Sequence, residues 1–259
     1  MSGGTVHIER ASTGVVTLVL DNQTHHNALN DTIVALLTNA FRTLAGDDTC
    51  KVIVLRGSGG VFCAGREIGD IQGLQAATSD EVSAAYGKLR ELNEAIYFCP
   101  KPVLAVLQRF ALGAGSMLAA WADIALAQDD CVMGYPEVKI GLPPTMSAVQ
   151  LIRGVNRKVA LDLLLTGRKI LAPEAAAVGM ITRCVPAAAL DATVASTIEA
   201  LLAASPQAIS RTKRLIWDTE DSDYRSGVAA AVDAISVAVS TRPAREGIAA
   251  FLAKRRPSW

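Results

Sequence analysis

An α/β domain that gives way to an all-helical C-terminal section is predicted by three features of this 259-residue chain. A strand pattern, a glycine-containing loop, a helical pattern and a further strand follow one another twice, with a third, weaker round from Cys131 to Leu151. Apolar residues make up 51% of the chain and aromatics only 5%, a composition suited to helices packed on a sheet through small side chains. From Asp191 onward strand signals vanish and helical spacing takes over. The expected division is a core over residues 1–190 and a helical section over 191–259, with no linker, low-complexity tract or charge block between them.

Taken in order, Thr5 to Glu9 and Val15 to Leu20 alternate around a Ser-Thr-Gly turn and read as an opening hairpin. Ile33, Leu36, Leu37, Ala40, Phe41 and Leu44 recur at helical spacing, with Asn30 or Asp31 placed to cap. Val52 to Leu55 is a short β-branched strand, followed by the glycine-rich loop Gly57 to Gly65. A second helix fits Ser79 to Tyr97, a buried strand fits Lys101 to Val106, and a small-residue segment runs from Ala111 to Ala120. Beyond Asp191, helices fit Ala195 to Ala203, Ala208 to Trp217, Val228 to Ala238 and Glu246 to Lys254. The last of these are apolar enough to pack on another subunit.

A formal net charge of zero leaves no electrostatic footprint for nucleic acid or an anionic membrane. Each apolar stretch is interrupted before it reaches membrane-spanning length. The first residues lack the basic and apolar run of a signal peptide, so the expected location is the cytoplasm. Cys50, Cys63, Cys99, Cys131 and Cys184 are odd in number and widely spaced, which favours reduced buried thiols over a disulfide framework or a zinc site.

Three segments carry potential chemistry. The loops Phe62 to Ile68 and Ala111 to Met117 each follow a strand, and their glycines and alanines let backbone N–H groups approach a ligand. Two converging N–H donors make an oxyanion hole; alone, each loop reads equally well as a tight strand–helix turn. The third segment, Met133 to Pro144, sets Glu137 among apolar neighbours, where desolvation raises a carboxyl toward general-base range. By itself, that glutamate reads better as a turn cap.

In order, these segments resemble the crotonase superfamily of enoyl-CoA hydratases and isomerases. The family patterns F-C-A-G-x-D/E-I/L, K-P-V-x-A with A-L-G-x-G, P-E-V-x-x-G-L-x-P, L-L-T-G-R and A-x-x-A-x-x-G-x-I/V fall at Phe62 to Ile68, Lys101 to Gly115, Pro136 to Pro144, Leu164 to Arg168 and Ala175 to Ile181. Glu246, Gly247, Ala250, Phe251, Lys254, Arg255 and Pro257 are similar to the family's C-terminal helix. The resemblance implies a spiral of ββα units with a C-terminal trimerisation section, assembled as a homotrimer or as a hexamer built from two trimers. It implies an acyl-CoA thioester as substrate and no metal or redox cofactor, coenzyme A arriving as part of the substrate.

Residue by residue, the resemblance puts oxyanion amides on Arg66 and Ala114, with Gly65, Gly113 and Pro136 around them, and the acid–base group on Glu137. Ala64 and Ile68 would lie against adenine, with His26 and Ala28 in the segment near that pocket and Thr145 on the pocket floor. Phe251 and Lys254 would reach the coenzyme from a neighbouring subunit. The family's second glutamate position is occupied by Met117, which can neither donate nor accept a catalytic proton. One carboxylate suffices for a proton shift between the α- and γ-carbons of an enoyl thioester, whereas hydration is best served by two.

Other candidates carry less. Glu67 is expected either to orient substrate or to structure its loop, and the Arg66 side chain to face solvent or a coenzyme phosphate. His25 and His26 read as loop residues. Ser116 suggests a serine hydrolase on a related fold, yet all three histidines lie near the N-terminus and Leu118 breaks G-x-S-x-G. Gly57 to Gly60 fails the dinucleotide fingerprint, because Phe62 fills its last glycine position. A non-catalytic acyl-CoA- or RNA-binding relative is a further alternative, since a fold can outlive its chemistry.

Overall fold

The computed structural model describes residues 3–259, so residues 1 and 2 of the expected core lie outside the described residues. Strands β1 (Thr5–Arg10) and β2 (Val15–Asp21) form the expected hairpin, with Thr5 opposite Asp21. Helix α1 (Asp31–Ala45) starts where the Asn30 side chain accepts from the Ile33 amide, and its apolar stripe faces inward. Strand β3 (Val52–Gly57) pairs parallel with β2. A short helix α2 (Ile68–Gly73) precedes α3 (Ser79–Tyr97), which opens with a capping box between Thr78 and Glu81.

From here two layers alternate. Strand β4 (Val103–Leu107) belongs to the main sheet, β5 (Phe110–Leu112) to a second one, and α4 (Ala114–Trp121) follows. The next turn repeats this with β6 (Ile124–Gln128) and β7 (Val132–Gly134), leading to a 3-10 turn (Pro136–Ile140) and helices α5 (Thr145–Gly154) and α6 (Arg157–Thr166). Strand β8 (Lys169–Leu171), helix α7 (Ala172–Ala177) and strand β9 (Arg183–Val185) close the core. The main sheet runs β1-β2-β3-β4-β6-β9, parallel after its opening hairpin, and the small sheet runs β5-β7-β8. This is the spiral of strand, strand and helix that the resemblance implies.

Strand β3 explains its own sequence. Ile53 and Leu55 pack into the main core beneath α1 and α3, while Val52 and Val54 pack with Leu104, Val106 and Leu126 against α8 (Leu190–Ala203). Both faces are covered, so the strand is apolar from Val52 to Leu55 rather than alternating.

Three more helices follow, α9 (Pro206–Thr219), α10 (Tyr224–Ala238) and α11 (Arg242–Leu252). Lys213 pins α9 to the core, its Nζ donating to Asp123 at 2.6 Å and to the Lys101 carbonyl at 2.9 Å. By contrast α10 buries no residue, and Val232, Ile235, Phe251 and Leu252 are exposed along α10 and α11. No single helix among the described residues is long and apolar enough to cross a membrane. The five cysteines are free, and only Cys184 is not fully buried.

Candidate active site

The loop after β3, the β5–α4 junction and the 3-10 turn meet around one cavity of about 280 Å³. Two glycines make the meeting possible. Gly113 has φ 50°, a backbone conformation that L side chains rarely adopt, and a Cβ there would lie 2.8 Å from Glu137 Oε1. Gly65 has φ 107°, and its Cβ would lie 2.8 Å from the Leu112 carbonyl and 3.7 Å from the Ala114 nitrogen. Any larger residue at either position would push the loops apart.

Backbone bonds clamp the loops together. Cys63 N–H donates to Phe110 O at 2.9 Å, Leu112 N–H to Cys63 O at 3.1 Å, and Gly113 N–H to Gly134 O at 2.8 Å. Ser116 Oγ donates to the Ala111 carbonyl and accepts from Gly134 N–H at 3.1 Å. That hydroxyl is fully buried and committed to backbone, which removes the ground for a serine nucleophile.

On the opposite flank, Leu29 N–H donates to Gly65 O at 2.7 Å and Glu67 N–H donates to Leu29 O at 2.9 Å. This parallel bridge turns the Arg66 N–H to the other side. Ala114 begins α4, so its N–H has no partner within the helix. Neither amide has an acceptor among the described residues, and both residues line the cavity.

Glu137 is the one carboxylate among the described residues lining that cavity. Pro136 starts its turn, and Leu142 N–H donating to Glu137 O at 3.1 Å closes it. Its Oε2 is buried with no hydrogen-bond partner. Burial pushes the carboxyl above the usual glutamate range, and a hydrogen bond from its own amide only partly offsets this. A carboxylate so placed is a stronger base than one in water.

Of the residues singled out from sequence, Ala64, Gly65, Arg66, Ile68, Gly113, Ala114, Met117, Pro136, Glu137 and Thr145 converge on this cavity. His26, Ala28, Glu67, Phe251 and Lys254 do not line it. His26 supports the loop from behind, its carbonyl accepting from Ala64 N–H at 3.0 Å and its ring standing edge-on to Phe110. Glu67 accepts from Asn22 at 3.3 Å and Asn30 at 3.4 Å, the loop-structuring alternative. The Arg66 side chain is mostly withdrawn from solvent, 13% exposed, and is not free to reach a coenzyme phosphate. Its guanidinium is tied to Asp31 and Asp70, because three charges from α1, α2 and the loop gather there.

Lys139 lines the cavity as well, two residues beyond Glu137 on the same turn, and the sequence reading passed over it. So did Asn93 on α3. It is buried, and its Nδ2 contacts the thioether sulfurs of Met117 at 3.4 Å and Met146 at 3.1 Å. Its only signal was an amide at an inward-facing position between Leu89 and Ile96.

Comparison with known proteins places these features in a wider set. Residues 10–259 match the family model described as enoyl-CoA hydratase/isomerase. The chain is similar to the probable enoyl-CoA hydratase echA8 of Mycobacterium tuberculosis, 31% identical over 264 residues that cover 100% of this chain and 99% of the relative. It is 31% identical over 250 residues to the mouse mitochondrial enoyl-CoA hydratase domain-containing protein 3, covering 96% of this chain and 83% of that protein. Among solved structures, an enoyl-CoA hydratase of Mycobacterium smegmatis superposes with a TM-score of 0.92 at 32% identity, covering 98% of both chains. Pseudomonas aeruginosa AtuE superposes with 0.93 at 29% identity over the same shares.

Proposed function

The chain belongs to the enoyl-CoA hydratase/isomerase family, and from that premise we propose that it processes an acyl-CoA thioester through a stabilised enolate, with Glu137 as its single acid–base group. The observation that carries this reading is the desolvated Glu137 carboxyl, its Oε2 buried without a partner, on the same cavity as two unpaired amides.

In this mechanism the thioester carbonyl accepts from the N–H groups of Arg66 and Ala114. Glu137 removes a proton from C2, and the electron pair moves into the carbonyl as an enolate. One such donor typically contributes about 2.7–4 kcal/mol to the transition state. For a 3-enoyl thioester, the double bond moves from C3–C4 to C2–C3 while Glu137 returns the proton to C4. One base serves both transfers, and Met117 takes part in neither. Coenzyme A belongs to the substrate, and this chemistry calls for no metal or redox group.

Ile68 at the cavity mouth and Ala64 beside it suit contact with adenine. The exposed apolar residues of α10 and α11 support assembly as a homotrimer or a hexamer, in which Phe251 and Lys254 would approach a neighbouring subunit's coenzyme. A second reading, hydration of a 2-enoyl thioester with Glu137 alone, is favoured by the hydratase names of the relatives.

The test is a parallel assay with a 2-enoyl-CoA and a 3-enoyl-CoA, followed by mass and by conjugated-thioester absorbance. Conversion of the 3-enoyl substrate without mass gain supports the proton shift. Gain of one water on the 2-enoyl substrate alone supports hydration. Binding of both without reaction would leave an acyl-CoA-binding relative and overturn the enzymatic reading.

A further inference from the structure

Beyond the reacting centre, the helices that wall the acyl end of the cavity hold buried polar groups that the proposed chemistry does not use. Asn93 of α3 is 5% exposed, and its Nδ2 rests between the sulfurs of Met117 and Met146, both of which line the cavity. Its Oδ1 is buried and unpartnered. Gln150 of α5 is 7% exposed, and neither its Oε1 nor its Nε2 has a partner. Gln150 lies one helical turn beyond Met146, on the same face of α5. A turn beyond Asn93 and Met117, Tyr97 packs edge-on to Trp121 with ring centroids 4.8 Å apart, and the Trp121 Nε1 is also unpartnered. Unpartnered donors and acceptors thus sit on α3, α4 and α5, the three helices whose Leu89, Met117 and Met146 line the cavity, and Met117 and Met146 are flexible thioethers.

An amide buried without a partner destabilises a protein, and a core selected only for stability would carry leucine here. Thioether sulfur is a weak acceptor that any better one displaces. Carboxamides offer both a donor and an acceptor, which a hydroxyl satisfies at once. A carboxylate fits poorly, because the cations at this cavity are Arg66, already tied to Asp31 and Asp70, and Lys139 on the exposed turn beside Glu137.

We propose that Asn93 and Gln150 form a polar subsite behind Met117 and Met146 that selects acyl chains bearing a neutral hydroxyl at their far end. The inference rests on the acyl-CoA reading of the site and adds the chemistry of the preferred chain.

The test is calorimetric titration of saturated straight-chain acyl-CoAs, butanoyl to octanoyl, each paired with its ω-hydroxy counterpart. The wild-type protein is compared with Asn93→Leu and Gln150→Leu. At the matching length, the hydroxylated thioester should bind about tenfold tighter than the plain one. Each leucine variant should erase most of that preference, bind the plain chain at least as well, and melt no lower than the wild type. Plain chains binding the wild type as tightly as hydroxylated ones at every length would overturn the subsite while leaving the acyl-CoA reading intact. A preference that survives in both variants would also overturn it. Failure of every thioester to bind would sink the acyl-CoA reading and this inference with it.

Discussion

Replacing Glu137 with glutamine should exchange activity for stability. The carboxyl has one buried oxygen without a partner, and burial raises its proton affinity in the folded chain. A carboxyl whose folded value lies above its unfolded one holds its proton longer in the folded state. The stability it contributes is therefore fully present below the ordinary glutamate range and is lost as pH rises through the raised value. Above that raised value the wild type carries a partly buried charge with one oxygen lacking a partner, a burden of about 1–3 kcal/mol. Glutamine is nearly isosteric and neutral. Glu137→Gln should melt higher at pH 7, by about 2–4 °C for each kcal/mol recovered, and the gain should vanish at pH 4 and below, where both side chains are uncharged. General acid–base groups contribute about 10²–10⁴-fold to rate, so turnover should fall by at least that range while acyl-CoA binding persists. Melting curves at the two pH values and turnover on an enoyl-CoA are the assays. A variant less stable than wild type at pH 7, or one with unchanged turnover, would refute the reasoning.

Gly113→Ala introduces a Cβ 2.8 Å from Glu137 Oε1 at a positive φ. It should lose about 1–3 kcal/mol of stability in denaturant titration and about 100-fold in kcat through displacement of the carboxylate, with KM little changed. Arg66→Gln keeps the backbone amide and removes the ties to Asp31 and Asp70. Steady-state kinetics should show kcat within about threefold of wild type, since each lost charge-assisted bond acts on loop stability, whereas a large loss would mean that the guanidinium itself meets the substrate. Lys213→Met leaves the Asp123 carboxylate without its cation, held by backbone amides such as that of Val103, which donates to it at 2.7 Å. Urea unfolding should show a loss of about 1–3 kcal/mol, between an exposed pair and a buried one, because Lys213 is buried while the Asp123 side chain is 31% exposed.

How much was legible in sequence follows from how local each signal was. Helix α3 matched at both ends because inward-facing leucines and the Thr78–Glu81 capping box are encoded within a single segment. The opening hairpin and β3 were readable because β-branched runs and turn residues mark them locally. Strands β5, β7, β8 and β9 are three residues each, too short to display a period, and β6 is an alanine-rich run that reads as helix or strand equally well. The C-terminal helices start several residues earlier than their apolar spacing suggests, at caps such as Ser205 and Asp223.

The cavity residues were found through the ordered motifs of the resemblance, since no single loop distinguishes a ligand site from a tight turn. What sequence could not supply was pairing across the chain. The ties of Arg66 to Asp31, of Glu67 to Asn22 and of Asn93 to two methionines join residues far apart in sequence. Such contacts have no periodicity or spacing to betray them.

The central claim is that Glu137 moves a proton at the carbon beside the thioester. It is tested most directly by incubating wild type and Glu137→Gln with a 3-enoyl-CoA in heavy water and following deuterium at C2 by mass. The account predicts incorporation by the wild type and none above background by the variant, although both bind the thioester. Equal incorporation by the two proteins, or none by a wild type that binds the thioester, would contradict it.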